Sequence, residues 1–310
     1  MAFISVVTGC FNEEGNLEEL HRRVCAVFEG PCSAHTFEMI VIDNGSTDRS
    51  VEVLRRIADA DKRVKIIVNN RNFGHVRSGY HAFIQSTGDA AVLMASDLQD
   101  PPELITELLA QWTAGYKVVL AQKNRSEESP VFFYLRKAYY KILKASSEVE
   151  LVENATGFGI YDAVVRKEIA QINDPYPFFR GLICELGYPR ALVHFVQPTR
   201  KRGITKNNFY ALWDIGMLGI ISHSKVPLRL AIFAGIAVST ASFAAAVAYG
   251  LYKLCFWESF QVGMAPLVIG MFFLGAVQLI FIGVIGEYVG AIYTQVLKRP
   301  PVIERERINF

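Results

Sequence analysis

The amino-acid sequence predicts an α/β domain built on a mainly parallel sheet, followed by two membrane-spanning helices. Over about the first 200 residues, short β-rich runs alternate with helical patterns, which is typical of βα units. Two uncharged runs follow, each of about 20 residues, the length that crosses the hydrocarbon core of a bilayer as a helix. A chain of 310 residues accommodates both modules.

Hydrophobic periodicity places the elements of the domain in order. Runs rich in Val, Ile and Phe predict strands, and the amphipathic segments between them predict helices. The strands are expected at Phe3–Cys10, Phe37–Asp43, Val64–Asn69, Ala90–Ala95 and Lys117–Ala121. The helices are expected at Leu17–Phe28, Ser50–Ala60, Val76–Ser86, Pro102–Ala114 and Val131–Ala145. Pro102 suits the first turn of its helix.

The membrane module is predicted from Leu230–Leu251 and Gly263–Ile285, which contain no charged residue. Basic residues flank the outer ends of the pair, so the positive-inside rule places the domain and both chain ends in the cytoplasm. Two buried core helices are the alternative, which the lack of polar residues disfavours. The expected division is a domain at 1–206, interfacial amphipathic helices at 207–228, a hairpin at 229–297 and a cytoplasmic tail at 298–310. A domain-core helix would explain the pattern at 207–223 equally well.

Composition limits the possible partners and cofactors. The chain has 32 Lys and Arg against 30 Asp and Glu, and a net charge of +2 gives no reason to expect nucleic acid as a partner. Its five cysteines form no CxxC pair, so we expect thiols in a reducing compartment rather than zinc or redox chemistry. The apolar start lacks a basic leader and is expected to be a strand, not a signal peptide.

Polar clusters follow four predicted strands, at residues 12–14, 43–48, 69–72 and 97–100. Ligands of open α/β sheets bind beyond the carboxyl ends of strands, so this series predicts a binding site. Each cluster alone is equally explained by a turn or a helix cap, and Asp100 is expected to cap the helix that follows it. The sequence has no GxGxxG after a strand and no GxxxxGK[ST], which disfavours a dinucleotide or P-loop site.

Five motifs in this order resemble those of the family 2 glycosyltransferases, in particular the polyprenyl-phosphate glycosyltransferases. They are TGCFNEEGNLEEL (8–20), VIDNGSTDRS (41–50), NNRNFGHVRSGYHAF (69–83), SDLQDPPELI (96–105) and GEYVGAIY (286–293). The resemblance implies a GT-A (Rossmann-like) domain that uses a nucleotide-sugar and Mg²⁺ or Mn²⁺ to glycosylate a membrane polyprenyl phosphate with inversion. It also implies a homo-oligomer, a tetramer, and UDP-glucose as the favoured donor.

The resemblance carries over to particular residues. Asp97 and Gln99 match the metal-binding pair, and such hard oxygen ligands are those that Mg²⁺ prefers. Lys123, Arg125 and Arg136 would join Asp97 in catalysis by holding the acceptor phosphate, or they would form a solvated positive face. A loop at 200–206 would close over the diphosphate, or bind anionic lipid head groups instead. The residues implied in nucleotide-sugar binding are Asn12, Glu13, Asp43, Asn72, Ser96, Asp97, Arg202 and Lys206.

Two departures from the family pattern bear on activity. Ala95 stands where the family has the first Asp of its metal element, and Gly157-Phe158-Gly159 stands where it has Asp-Phe-Arg. The loss of an acid need not abolish transfer, because a phosphate monoester with a second pKa near 6 is already anionic at neutral pH. Glu185 and Asp162 are candidate replacements, and Glu287 is a functional candidate or a helix-end contact. A catalytically dead nucleotide-sugar sensor or scaffold and a processive polysaccharide synthase remain alternatives.

Overall fold

The computed structural model describes residues 1–123, 152, 155–172, 174–198, 217–219, 221, 224–256 and 264–310. Within these ranges one sheet of eight strands has the order β7-β5-β6-β4-β1-β2-β3-β8. The strands are β1 Phe3–Cys10, β2 Thr36–Asp43, β3 Val64–Asn69, β4 Ala90–Ala95, β5 Val118–Lys123, β6 Ala155–Asp162, β7 Arg190–Phe195 and β8 Glu304–Ile308. The first five confirm the predicted strands, with bounds that differ by at most two residues.

The helices of the domain lie between these strands. They are α1 Leu17–Glu29, α2 Ser50–Ala60, α3 His75–Gln85, α4 Ile105–Thr113, α5 Ala163–Ile172 and α6 Phe179–Glu185. The predicted helix at Pro102 begins as a 3-10 turn, Pro102–Leu104, which leads into α4. The predicted helix Val131–Ala145 and most of the predicted interfacial segment lie outside the described residues.

Strand direction places the carboxyl ends of six strands, β1 to β5 and β7, at one end of the sheet. β1 pairs in parallel with β2 on one side and with β4 on the other, and β2 pairs in parallel with β3. β6 is antiparallel to both β4 and β5, so β5 again runs parallel to β4. The chain therefore changes direction across the sheet between β1 and β4, and such a switch point is where open α/β sheets form a crevice.

The two faces of the sheet are covered by different helices. Helices α1, α2 and α4 pack on one face, where Leu20, Leu54 and Leu108 are buried. Helices α3 and α5 pack on the other face, with Phe83 and Ile169 buried against it. Because each fully buried residue of this kind contributes about 1.5–3 kcal/mol, the two layers hold the strand ends in a fixed arrangement.

Two further helices, α7 Val226–Cys255 and α8 Met264–Val296, contain the predicted spans. Both are long and apolar enough to cross a membrane, and their apolar side chains are exposed. They extend beyond the uncharged runs because their polar ends continue the helical hydrogen bonding. The end of α8 contacts the domain, since the Gln295 Nε2 donates to Asp174 Oδ1 at 2.8 Å.

Strand β8 was not predicted from the sequence. After α8 the chain returns to the domain, and β8 pairs antiparallel with β3 at the sheet edge. Val302 is buried just before it, and the Asn309 side chain donates to the carbonyls of Ala58 and Val64. Residues 302–309, expected to be a tail, are thus packed on the sheet domain.

Candidate active site

The loop after β4 carries Asp97 and Gln99 at the carboxyl end of this strand, beside the switch point between β1 and β4. Asp97 Oδ1 accepts a hydrogen bond from the backbone amide of Gln99 at 3.1 Å, and Leu98 between them has φ +62°. Asp100 closes the loop, because its Oδ2 accepts the Ala95 amide at 2.9 Å. The expectation that Asp100 caps the next helix was wrong, since its carboxylate bonds backward to the end of β4.

Asp100 is a buried acid beside Asp97. Burial, foremost, and the neighbouring Asp97 charge raise the pKa of the Asp100 carboxyl to about 6, while the Ala95 amide and Lys123 oppose the rise. Lys123 ends β5, which runs parallel to β4 with β6 between them, so it lies at the same end of the sheet as this loop. Two carboxyls and one ammonium group therefore lie at the carboxyl ends of β4 and β5.

The side chains of Asp97 and Gln99 fit a divalent cation. Both residues are partly exposed, and they offer a carboxylate and an amide oxygen, the hard donors that Mg²⁺ and Mn²⁺ take, one or two at a time, alongside phosphate and water. Ser96, between Ala95 and Asp97, donates its hydroxyl to the Gly9 carbonyl at 2.8 Å and so ties the end of β4 to β1.

Asn12 and Glu13 follow β1 and join its end to the turn after β2. Asn12 adopts φ +57°. Its backbone amide donates to Ser46 Oγ at 2.9 Å, and its side-chain Oδ1 accepts a hydrogen bond from the Thr47 backbone amide at 2.7 Å. The Glu13 carboxylate is almost buried and accepts the Asn16 side-chain amide at 2.6 Å. These two residues therefore shape the crevice wall.

Asp43, at the end of β2, is fully buried. Its Oδ2 accepts the amides of Gly45 and Ser46, each at 3.1 Å, which fixes the carboxylate in a tight turn. Among the described residues its Oδ1 has no hydrogen-bond partner. Because an unpaired buried acceptor costs about 1–3 kcal/mol, this oxygen is suited to a ligand hydroxyl or N–H group.

A buried amide network connects β2, β3 and α3. Asn44 Oδ1 accepts the Ser78 hydroxyl at 2.7 Å and the Phe73 amide at 2.9 Å, and its Nδ2 donates to Asn72 Oδ1 at 2.9 Å. Asn69 joins the same network through its Nδ2. The network fixes the loop 69–74, so Asn72 acts first as an anchor of this loop. Sequence reasoning missed Asn44 and Ser78, although both lie in quoted motifs, because the partner of a side chain cannot be derived from local pattern.

Of the other candidate residues, some are described by the structure and the rest lie outside the described residues. Asp162 lies at the carboxyl end of the antiparallel β6, hence at the opposite edge, and accepts Trp112 Nε1 and Lys117 Nζ, both at 2.9 Å. It therefore cannot replace a base at the crevice. Glu185 lines a cavity of about 550 Å³ between α6 and α8, and Glu287 is an exposed residue of α8. Outside the described residues lie Arg125, Arg136, Arg202 and Lys206.

The glycines at 157 and 159 are required by the shape of β6. Gly157 has φ +98°, which disfavours any L side chain, and its carbonyl accepts the Tyr161 hydroxyl at 2.8 Å. A Cβ at Gly159 would lie 2.3 Å from the Val119 carbonyl oxygen of the paired β5. The Asp-Phe-Arg pattern of the family thus does not fit this strand, and these positions carry no acid.

The fold and the oxygen-rich crevice define a sugar-transferring enzyme of the GT-A class. Residues 5–172 match the family model described as glycosyl transferase family 2, so the chain belongs to that family. This confirms the family and the GT-A fold expected from the motifs.

Relatives match along nearly the whole chain. An uncharacterized glycosyltransferase of Synechocystis is 35% identical over 96% of this chain and 93% of its own length. The SfII prophage-derived bactoprenol glucosyl transferase of Shigella flexneri is 32% identical over 97% of this chain and 96% of its own. Among solved structures, the Pyrobaculum calidifontis mannosyltransferase PcManGT, in complex with GDP-Man and Mn²⁺, is 13% identical over 96% of this chain and 88% of its own, with a TM-score of 0.46.

Proposed function

We propose that this glycosyltransferase moves one hexose from a nucleotide-sugar to a polyprenyl phosphate in the membrane, with inversion at the sugar C1. The observation that carries the proposal is that strand direction brings Asp43, Asp97 and Gln99 to the same end of the sheet, in a chain that also has two long apolar helices. Similarity over nearly the full length to a bactoprenol glucosyl transferase supports a lipid acceptor and a glucosyl group, and the resemblance to the family favours UDP-glucose as the donor.

Donor binding is assigned to the ends of β1, β2 and β4. Asp43 Oδ1 would accept a hydrogen bond from the base or ribose, and Asn12 and Glu13 would border the nucleotide, which satisfies the buried acceptor. Asp97 and Gln99 would hold Mg²⁺ or Mn²⁺ against the diphosphate. When bound, this ion neutralises the charge that develops on the leaving nucleoside diphosphate.

The transfer step needs little proton abstraction. An oxygen of the acceptor phosphate, already anionic at neutral pH, forms the new bond to C1 while the bond from C1 to the diphosphate oxygen breaks. The electron pair of that bond stays on the nucleoside diphosphate. Positioning is then the main requirement, and Lys123, at the carboxyl end of β5, would attract the acceptor phosphate toward the crevice. Arg125, Arg136, Arg202 and Lys206 are proposed to contribute further positive charge.

The proposed location is the cytoplasmic membrane, with the sheet domain and both chain ends on the cytoplasmic side. The support is the distribution of Lys and Arg around α7 and α8 together with their exposed apolar surfaces. We also propose a homo-oligomer, a tetramer, because the resemblance to this branch of the family implies one.

The test uses the purified full chain in detergent with undecaprenyl phosphate, MgCl₂ and radiolabelled UDP-glucose, UDP-GlcNAc or GDP-mannose. A chloroform-soluble sugar lipid is expected, and Asp97→Ala should lower its rate of formation at least about 100-fold because a ligand aimed at the leaving group is lost. Asp59→Ala, at an exposed site on α2, is the matched control and should leave the rate unchanged.

Two outcomes would overturn the proposal. If no donor yields a lipid product, the chain is not this transferase. If a donor binds without metal dependence, without turnover and equally well to Asp97→Ala, a sensor or scaffold replaces the enzyme.

A further inference from the structure

Strand β8 holds the loop 69–74 from the outer edge of the sheet. The Asn70 amide donates to the Ile303 carbonyl at 2.9 Å, and Asn69 pairs with Glu304 where the ladder shifts register. The backbone of the loop is therefore fixed at its beginning by residues that follow the membrane helices in the chain.

Glu304 also connects β8 to the helix that follows this loop. Its Oε1 pairs with His81 Nε2 of α3 at 2.5 Å and with Arg307 Nη2 at 2.7 Å. Glu304 and His81 are both largely buried, so the contact is shielded from solvent. Since α3 begins at His75, directly after the loop, β8 restrains both ends of the loop.

The inner side of the loop lies against the turn that orients Asp43. Gly45 packs so closely under the loop that a Cβ there would lie 2.7 Å from the Arg71 carbonyl carbon. The Gly45 amide is also one of the two donors that fix Asp43 Oδ2. A continuous chain of contacts thus leads from β8 through the loop to the carboxylate assigned to the donor.

We infer that Glu304 is a positioning residue of the donor site, which it serves by keeping the loop 69–74 and the Gly45 turn in their binding arrangement. This inference rests on the proposed function for the identity of the ligand, but not for the restraint itself. Glu304 would thus support the donor site from the outer edge of the sheet, through the loop and the Gly45 turn.

The variants are Glu304→Ala, Glu304→Gln and the control Glu306→Ala. Glu306 lies two residues away on β8, on the other side of the register shift, and pairs with Arg55 of α2. Helix α2 packs on the face of the sheet opposite to α3. The control therefore removes a carboxylate and an ion pair from β8 without touching α3.

The first measurement is hydrogen exchange of the full chain in detergent, followed in peptides that cover residues 69–78. Glu304→Ala should raise exchange there at least about fivefold, Glu304→Gln should restore part of the protection through a remaining hydrogen bond to His81, and Glu306→Ala should match wild type. Equal protection in Glu304→Ala and wild type, or equal loosening in both alanine variants, would overturn the inference.

The second measurement is calorimetric binding of UDP, GDP and dTDP with MgCl₂. For the nucleotide that wild type binds, Glu304→Ala should raise the Kd about tenfold, the effect of losing one strong charge-assisted hydrogen bond, while kcat at saturating donor stays within about twofold. An unchanged Kd beside raised exchange would show that the loop does not serve the donor. If wild type binds none of the three, the proposed function fails while the exchange experiment still decides on the restraint.

Discussion

Gly45→Ala tests whether the turn after β2 and the loop 69–74 are fitted to each other. Gly45 has φ +75°, and an added Cβ would lie 2.7 Å from the Arg71 carbonyl carbon and 2.8 Å from the Asn72 amide nitrogen. Both neighbours are backbone atoms, so they cannot move aside as the end of a flexible side chain would. The substitution must displace the loop, the turn, or both.

The expected cost has two parts. A non-glycine residue at positive φ costs about 1–2 kcal/mol, and overpacking of a well-packed contact adds about 1–3 kcal/mol. Gly115→Ala is the matched control because Gly115 has φ +109° but no heavy atom within 4 Å of an added Cβ. Gly45→Ala should therefore destabilise the domain by about 2–5 kcal/mol, and Gly115→Ala by about 1–2 kcal/mol.

Thermal unfolding of the full chain in detergent, followed by tryptophan fluorescence, measures the difference between the two variants. Donor binding at a temperature where both are folded measures the effect on the site, and we expect only Gly45→Ala to weaken it, about tenfold or more for a displacement worth 1.4 kcal/mol. If both variants lower Tm equally and bind the donor equally well, the turn and the loop are not fitted to each other.

Two further predictions concern ionisable groups that are not assigned to donor or metal binding. The Arg63 guanidinium, above all, holds the pKa of Asp61 well below its usual value, so this stabilisation is complete above the unfolded pKa of about 4 and is lost as the pH falls below it. Asp61→Asn should therefore cost about 1–3 kcal/mol in urea unfolding at pH 7 and about 1 kcal/mol less at pH 3, and a constant difference would contradict this. Burial, foremost, and the Asp43 charge raise the pKa of the Cys10 thiol to about 12, so maleimide at pH 7.5 should leave Cys10 unmodified in the folded protein. The exposed Cys255 is the internal reference in the same mass spectrum, and equal labelling of both would refute the prediction.

The parts of the fold that were predictable are those fixed by local pattern. β1 to β4 are apolar runs bounded by polar turns, and the burial that their composition requires is observed. The two long helices were predicted from the absence of charge alone. The clusters at 43–48 and 97–100 were predicted from a general rule on strand ends, and the resemblance to a family then singled out Asp43, Asp97 and Gln99 within them.

The parts that were not predictable depend on contacts distant in sequence. β8 reads ERERI, and such alternating charge looks like a solvated segment until β3 supplies a partner about 240 residues earlier in the chain. The roles of Asn44 and Asp100 depend on which backbone amides lie within reach of their side chains. The exclusion of Asp162 as a base depends on the direction of β6. The glycines of β6 show the same limit, since the missing acid at Gly157 is explained by its φ of +98° and the missing Arg at Gly159 by the approach of the Val119 carbonyl.

The position of β8 also determines when the sheet can be completed during synthesis. Before β8 pairs with it, the outer edge of the apolar strand β3 has no partner, and unpaired edges of this kind promote aggregation. The residues that cover it are translated only after both long helices, so the nascent domain carries an open edge while α7 and α8 are being made. We expect that delayed insertion of these helices prolongs the aggregation-prone state, which links the solubility of the domain to the rate of membrane insertion.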